Sequence, residues 1–192
     1  MIVNIQKKDI AEVVKIHRNN LPSLINFYND LFIKEFYIHH LNKCDKTVLV
    51  GYKQNSELCG FVFGTLDVED MFSSFIAQNK LYFIKHTFLA LIQHPKYLFY
   101  IFQSFLSKGF KQGDSKTQLV YIAVDQQYKG SGIGKKLLEA FEDKLKQSED
   151  YYELEVEQNN PALDFYKSKN FKIVREVNNV LEKKYLMGKS LK

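Results

Sequence analysis

The chain has 192 residues, 45% of them hydrophobic and 26% charged, which excludes a disordered chain; no Ser/Gly/Pro-rich linker divides it, so one domain over 1–192 is expected. The formal charge of +5 comes from Lys and Arg scattered along the length. With no basic run interleaved with aromatics, that pattern suits a polyphosphate ligand and argues against nucleic acid. Cys44 and Cys59 lack metal-ligand spacing, and the opening MIVNIQKKDI lacks the apolar core of a signal peptide. The apolar stretch Leu81 to Leu106 is broken by Lys85, His86, His94, Pro95 and Lys96, which excludes a transmembrane segment. A cytoplasmic protein without a metal site is expected.

In chain order, Ile2 to Gln6 alternates as a strand does, and Asp9 stands as an N-cap before Ile10, Val13, Val14 and Ile16. Pro22 to Leu41 reads as one or two amphipathic helices. Thr47 to Tyr52 and Leu58 to Leu66 are β-rich and flank Gln54-Asn55-Ser56, which predicts an antiparallel hairpin. From Asp67 to Lys116 the β pattern is interrupted by a segment dense in Phe, Tyr, Leu and Ile, and two helices are expected, roughly 69–93 and 95–107. Leu119 to Val124 is an apolar strand. It enters a helix whose positions Ile133, Leu137, Leu138, Phe141 and Leu145 have helical spacing. Tyr151 to Val156 is a strand, Asn160 to Ser168 a short helix, and Phe171 to Arg175 and Lys184 to Gly188 are strands. This order describes a mixed α/β sheet.

Gly130, Gly132 and Gly134 separate the apolar strand from the periodic helix. The first N–H groups of a helix have no partner inside it, and glycine lets backbone approach an anion with no Cβ in the way. A pyrophosphate fits such a turn, with Lys129 and Lys135 flanking it; the bland alternative is a tight strand-to-helix connection. The pattern is neither a nucleotide P-loop nor a dinucleotide fingerprint.

The segment IAVDQQYKGSGIGKKLLEAFE resembles the acetyl-coenzyme A signature of the GNAT superfamily of N-acetyltransferases, and VEQNNPALDFYKSKNF resembles that family's second motif, with Asn159, Ala162, Tyr166 and Phe171 in register. Lys129 replaces the usual Arg or Gln, Gln126 replaces a common Pro, and Asn170 replaces the Gly before Phe171. The likeness is strong over about 117–175 and is one of pattern alone over the first 66 residues.

The resemblance implies a GNAT fold, with a mostly antiparallel sheet of six to seven strands flanked by helices and a helical insert, about 67–116, between the third and fourth strands. It implies acetyl-coenzyme A as co-substrate. Ile122 and Val124 would contact the pantetheine arm, Lys129, Gly130, Ser131, Gly132, Ile133, Gly134 and Lys135 would line the pyrophosphate, and Asn159 would fix the coenzyme or the ends of the splayed strands. Tyr166 would protonate the leaving thiolate, against the alternative of a helix tyrosine packed on the sheet. The Val124 N–H would meet the oxyanion. For the amine's proton the candidates are Asp67, Glu69, Glu155 and His17; solvated carboxylates, and a histidine that complements its helix dipole, are the alternatives.

The insert's apolar residues, from Leu81 to Leu106, are expected to be buried, as a lid over the acceptor cleft, in a homodimer interface, or at a membrane surface. A covered cleft points to a small primary amine as acceptor, and the inserted helices resemble those of family members that acetylate amino groups on nucleotide-linked sugars, which implies an amino sugar as one candidate. A protein N-terminus or lysine is the enzymatic alternative. A non-catalytic acyl-coenzyme A binding module is the alternative of another class.

Overall fold

The computed structural model describes residues 1–95, 115–178 and 183–192. Seven strands form one sheet in the order β1-β2-β3-β4-β5-β7-β6: β1 is Ile2–Asn4, β2 Thr47–Gln54, β3 Glu57–Thr65, β4 Gln118–Val124, β5 Tyr151–Glu157, β6 Lys172–Asn178 and β7 Lys183–Ser190. Every neighbouring pair is antiparallel except β4 and β5. The helices are α1 Ile10–Asn20, α2 Asp30–Leu41, α3 Val68–Gln78, α4 Lys80–Gln93, α5 Ile133–Leu145 and α6 Ala162–Ser168.

The β2–β3 hairpin follows from its turn. Asn55 and Ser56 both take positive φ, 50° and 68°, which matches the twist of the flanking strands. Along β3 the side chains alternate beyond Gly60, and a bulge opposite Tyr52 and Lys53 puts Cys59 on the face opposite Phe61. Phe61 and Phe63 enter a core with Val13 and Ile16 of α1, Phe32, Phe36 and Tyr37 of α2, and Phe75 of α3. Cys59 and Val62 enter a second core with Leu137, Leu138 and Phe141 of α5, Tyr152 and Leu154 of β5, and Tyr166 of α6. Burying each such side chain contributes about 1.5–3 kcal/mol, so β3, apolar on both faces, holds the two layers together. α5 comes so near the sheet that a Cβ at Gly64 would stand 2.4 Å from the Phe141 ring.

Several boundaries differ from the expectation. Asp9 occupies the N-cap position of α1, but its side chain makes no capping hydrogen bond to the helix. Its buried carboxylate accepts from the Gln6 N–H at 2.9 Å and from Lys53 Nζ at 2.7 Å, because a buried carboxylate needs a cation more than a helix start needs a cap. The stretch 22–41 gives α2 and a short turn of helix at Leu24–Phe27, as expected of one or two helices. The expected helix 69–93 is broken at Asn79, whose Nδ2 donates to the Phe75 carbonyl at 3.0 Å and ends α3. The expected helix 95–107 lies, beyond Pro95, outside the described residues. Asn160 precedes α6, and its Oδ1 accepts from the Ala162 N–H at 2.9 Å.

The insert leaves and rejoins the sheet at one place. Thr65 is in register with Gln118, and the Val68 N–H donates to the Lys116 carbonyl at 2.9 Å. An addition between paired strand ends keeps β3 and β4 paired on either side of a bulge, where Phe63 faces Tyr121 and Gly64 faces Leu119.

Candidate active site

Parallel pairing between β4 and β5 involves only Gln118 with Glu153 and Leu119 with Leu154. β4 stays paired with β3 as far as Val124, so its β5-facing peptide groups from Val120 onward have no strand partner. A wedge opens in the sheet there, and Ile122 and Val124, both half-buried, line it toward the α5 layer.

At the end of β4 the chain makes a short helical turn, Gln126–Tyr128, and then the glycine turn. Gly130 and Gly132 have φ of 80° and 78°, and a Cβ at either would meet nothing within 4 Å. Gly132 is the N-cap of α5, and no side chain caps the helix, so its first amides have no capping partner at the positive end of the dipole. Ile133 is buried under the turn, while Ser131 is exposed and its Oγ donates to the Tyr128 carbonyl at 2.5 Å. Lys129 and Lys135 are exposed, Lys135 lying 3.7 Å from Glu139. Open left-handed glycines, uncapped amides and two adjacent cations suit a pyrophosphate, and a wedge of unpaired peptide groups suits an amide-bearing arm such as pantetheine.

The turn is also braced from behind. The Glu57 carboxylate accepts from Tyr128 Oη at 3.1 Å and Gln127 Nε2 at 3.3 Å, and the Asp125 N–H donates to the Cys59 carbonyl at 2.8 Å. Burial and the Glu57 carboxylate are linked to a Tyr128 phenol pushed up to about 12, the hydrogen bond to Glu57 being the larger cause. Sequence reading missed Glu57, because its connection to Tyr128 spans two strands.

Tyr166 is buried on α6 between Phe165 and Phe171, with ring centroids at 5.4 and 5.5 Å. Burial raises its pKa well above the ordinary phenol value, so the hydroxyl keeps its proton at neutral pH. Asn170 has φ of 67°, the left-handed conformation that asparagine tolerates, and lets the chain turn from α6 so that Phe171 packs back on Tyr166. Asn159 is exposed in the turn after β5.

The opposite face of the wedge carries different chemistry. Tyr121, whose side chain alternates with Ile122, packs on the α1–α2 core, and its hydroxyl accepts from Ser23 Oγ at 3.0 Å. His17, on which Tyr121 packs edge-on at 4.7 Å, is fully buried; Nδ1 lies 2.6 Å from Tyr37 Oη. Burial, with Arg18 adding to it, pushes His17 down to about 4. It is therefore neutral at physiological pH, and neither an exposed cleft base nor a cation at a helix end. Asp67 caps α3, its Oδ1 accepting from the Asp70 N–H at 3.1 Å, and Glu69 is exposed in the first turn of α3. Glu155 follows Leu154, the last residue of β5 paired with β4. Its side chain is on the face away from α5, with Lys184 Nζ at 3.8 Å. Of the four carboxylate and histidine candidates it alone stands beside the wedge and remains exposed. Tyr121 and Ser23 were missed, although the apolar-polar alternation of Tyr121 against Ile122 was a usable signal.

Among the described residues no helix is long and apolar enough to cross a membrane, and no group of His, Cys, Asp and Glu could hold a metal ion. The family model described as the acetyltransferase (GNAT) family matches residues 12–171. None of the curated proteins matches the chain in sequence. Among solved structures, Ard1 from Thermoplasma volcanium is 17% identical with a TM-score of 0.62, covering 99% of this chain and 96% of its own. The ribosomal-protein-S18-alanine N-acetyltransferase from Escherichia coli is 16% identical with a TM-score of 0.62, covering 100% and 93%. The PaiA N-acetyltransferase from Thermoplasma acidophilum, in complex with coenzyme A, is 16% identical with a TM-score of 0.61, covering 99% and 98%. The likeness to these structures is one of fold, and the family match carries the chemistry: the chain belongs to the GNAT acetyltransferase family, whose members are acetyl-CoA-dependent N-acetyltransferases.

Proposed function

We propose that this chain transfers an acetyl group from acetyl-coenzyme A to the primary amine of a small molecule, an amino sugar being the first class to test. The observation that carries the reading is the wedge that opens beyond Leu119 and Leu154, with an open glycine turn at its mouth, Tyr166 on one face and Glu155 on the other.

Acetyl-coenzyme A supplies the activated acyl group as a thioester. Gly130, Ser131, Gly132, Ile133 and Gly134 hold its pyrophosphate through backbone N–H groups, with Lys129 and Lys135 adding charge at the rim. Such exposed cations add about 0–1 kcal/mol each. Ile122 and Val124 pair through their backbone with the pantetheine arm, Asn159 orients the coenzyme beside β5, and the Val124 N–H donates to the acyl oxygen as negative charge develops there. Glu155 accepts the proton of the acceptor ammonium, directly or through a water, and frees the nitrogen lone pair. The C–N bond forms as the C–S bond breaks; the Tyr166 hydroxyl passes its proton to the departing thiolate, and the second proton that leaves the nitrogen as the amide forms restores the tyrosine, directly or through a water.

A small acceptor is favoured by what stands beside Tyr121 and Ser23. The insert packs against the segment that joins α1 to α2: Tyr28 Oη lies 3.2 Å from Thr87 Oγ1, and the Tyr28 and Phe83 rings are 6.3 Å apart. An extended peptide needs an open groove along that edge. The second reading is a peptide N-terminus, supported by the fold likeness to the ribosomal-protein alanine N-acetyltransferase.

The test is thiol release from acetyl-coenzyme A with a panel of amino sugars, polyamines, amino acids and short peptides. Release with amino sugars or another small amine supports the proposal, and release with peptides alone replaces it with the second reading. Tight coenzyme binding with no release from any amine, unchanged in Tyr166→Phe, favours a binding module.

A further inference from the structure

The insert does not bury its whole apolar face. On α4, Tyr82, Phe83, His86 and Ala90 turn inward, where the Tyr82 ring stacks 6.0 Å from Phe32 and the His86 ring lies 6.0 Å from it. Leu81, Ile84, Phe88 and Ile92 turn outward and are 84%, 63%, 64% and 63% exposed, with Leu89 at their border. Their spacing of three and four residues places them in one stripe along the helix. Within the chain these residues are therefore not covered, and of the burials expected for them a dimer interface and a membrane surface are left. A stripe of this size on a surface helix has a partner.

Charge decides between partners. Residues 71–113 contain five lysines, Lys80, Lys85, Lys96, Lys108 and Lys111, and no Asp, Glu or Arg. The chain has 27 basic and 22 acidic residues in all, so the entire +5 excess belongs to these residues and the remainder is balanced. Lys80 and Lys85 are exposed at the N-terminal half of the stripe, and α4 has no carboxylate to offset them. A second copy of the chain would bring the same positive charge to the same face, which opposes self-association through it. An anionic lipid surface matches both features: acyl chains receive the apolar stripe and headgroups receive the lysines.

We propose that α4 is an interfacial helix that docks the enzyme on anionic membranes, with Leu81, Ile84, Phe88 and Ile92 entering the headgroup boundary and Lys80 and Lys85 resting on the phosphates. The enzyme is held on the surface, and no segment spans it. This rests on the exposure and charge of α4 and is independent of the acceptor.

The experiment is co-sedimentation of the full chain with vesicles of equimolar phosphatidylcholine and phosphatidylserine, and with phosphatidylcholine alone. Binding is expected to the anionic vesicles, weakened by salt and much weaker on neutral ones. The pair Ile84→Asp and Phe88→Asp, both exposed, lowers the partition coefficient at least tenfold while coenzyme A binding, measured by calorimetry, stays unchanged and shows that the fold is kept. Lys80→Glu with Lys85→Glu lowers it about tenfold or more. Lys167→Glu with Lys172→Glu makes the same change in net charge on the far side of the molecule and leaves binding in place. Equal binding to both vesicle types, no binding to either, or full binding by the α4 variants overturns the proposal. So does a concentration-dependent dimer, seen by sedimentation velocity, that dissolves in Ile84→Asp/Phe88→Asp when wild type ignores lipid.

Discussion

Leu119 of β4 and Leu154 of β5 are the last residues at which the two central strands pair, and Glu155 is the next residue along β5. The carboxylate is thereby fixed at the apex of the wedge by strand register, on rigid backbone rather than on a loop. Glu155→Gln keeps the shape and removes the proton acceptor, and kcat is expected to fall about a hundredfold with little change in KM for acetyl-coenzyme A. Steady-state kinetics at saturating coenzyme measures this; an unchanged kcat would move the base to a water or another group.

Gly132 has φ of 78° at the N-cap of α5. Alanine there meets no atom within 4 Å, so any penalty is conformational, about 1–2 kcal/mol for a side chain in the left-handed region. If the turn holds the pyrophosphate in this conformation, Gly132→Ala raises KM for acetyl-coenzyme A about tenfold and lowers melting temperature only slightly. The effect should shrink when a short thioester without the pyrophosphate replaces the coenzyme. Equal losses with both donors would mark the residue as structural.

Features legible in the sequence were local ones. The Asn55-Ser56 turn, the helical spacing from Ile133 to Leu145 and the glycines between strand and helix each lie within a few turns of chain, so propensity and periodicity expose them. The wedge was not legible from the residues, because where β4 and β5 part company depends on pairing between segments some thirty residues apart. Asn79 was missed for a different reason: an asparagine inside an apolar run is tolerated in helices, and only the structure shows its side chain bonding back to the Phe75 carbonyl at the end of α3. Asp9 was read from its position before α1, whereas its partner Lys53 comes from a distant strand. For the outward stripe of α4 the sequence left a lid, a dimer interface and a membrane surface open, because hydrophobic content alone cannot say which residues find a partner within one chain.

Tyr166 keeps its proton because burial opposes the phenolate. Replacing it with phenylalanine removes one oxygen from a packed site beside Phe165 and Phe171 and leaves the rings in place. If the hydroxyl protonates the thiolate, Tyr166→Phe lowers kcat about a hundredfold and leaves coenzyme affinity, read by calorimetry, within about twofold. A good leaving group needs no acid, so an aryl thioester donor is expected to recover most of the lost rate. Failure of that rescue would reduce Tyr166 to a packing residue.

Exposure of the Glu57 brace makes it a milder test of the same turn. Its carboxylate joins Tyr128 and Gln127 to the end of the β2–β3 hairpin, so Glu57→Ala frees the turn before the glycines without touching them. Surface bonds of this kind contribute about 1 kcal/mol, and a rise of about fivefold in KM for acetyl-coenzyme A with kcat unchanged is the expected result. A change in kcat instead would show that the brace acts on the reacting groups.

His17 supplies a pH dependence of stability. Its pKa is about 4 in the fold, against 6.5 for the free side chain, so between these values the unfolded chain binds more protons than the folded one. Stability is therefore complete above about pH 6.5 and is lost as pH falls toward 4, by roughly 3 kcal/mol from this residue. His39, His40 and His86 are shifted in the same direction, so the contribution of His17 is isolated by difference. His17→Phe leaves the Tyr37 hydroxyl without its partner and lowers stability at neutral pH, yet its unfolding free energy should decline less steeply than that of wild type between pH 6.5 and 4. Urea titrations across that range measure both slopes. Parallel slopes would mean that His17 takes up its proton inside the fold without penalty, and that the Tyr37 and Tyr121 rings around it yield to the charge.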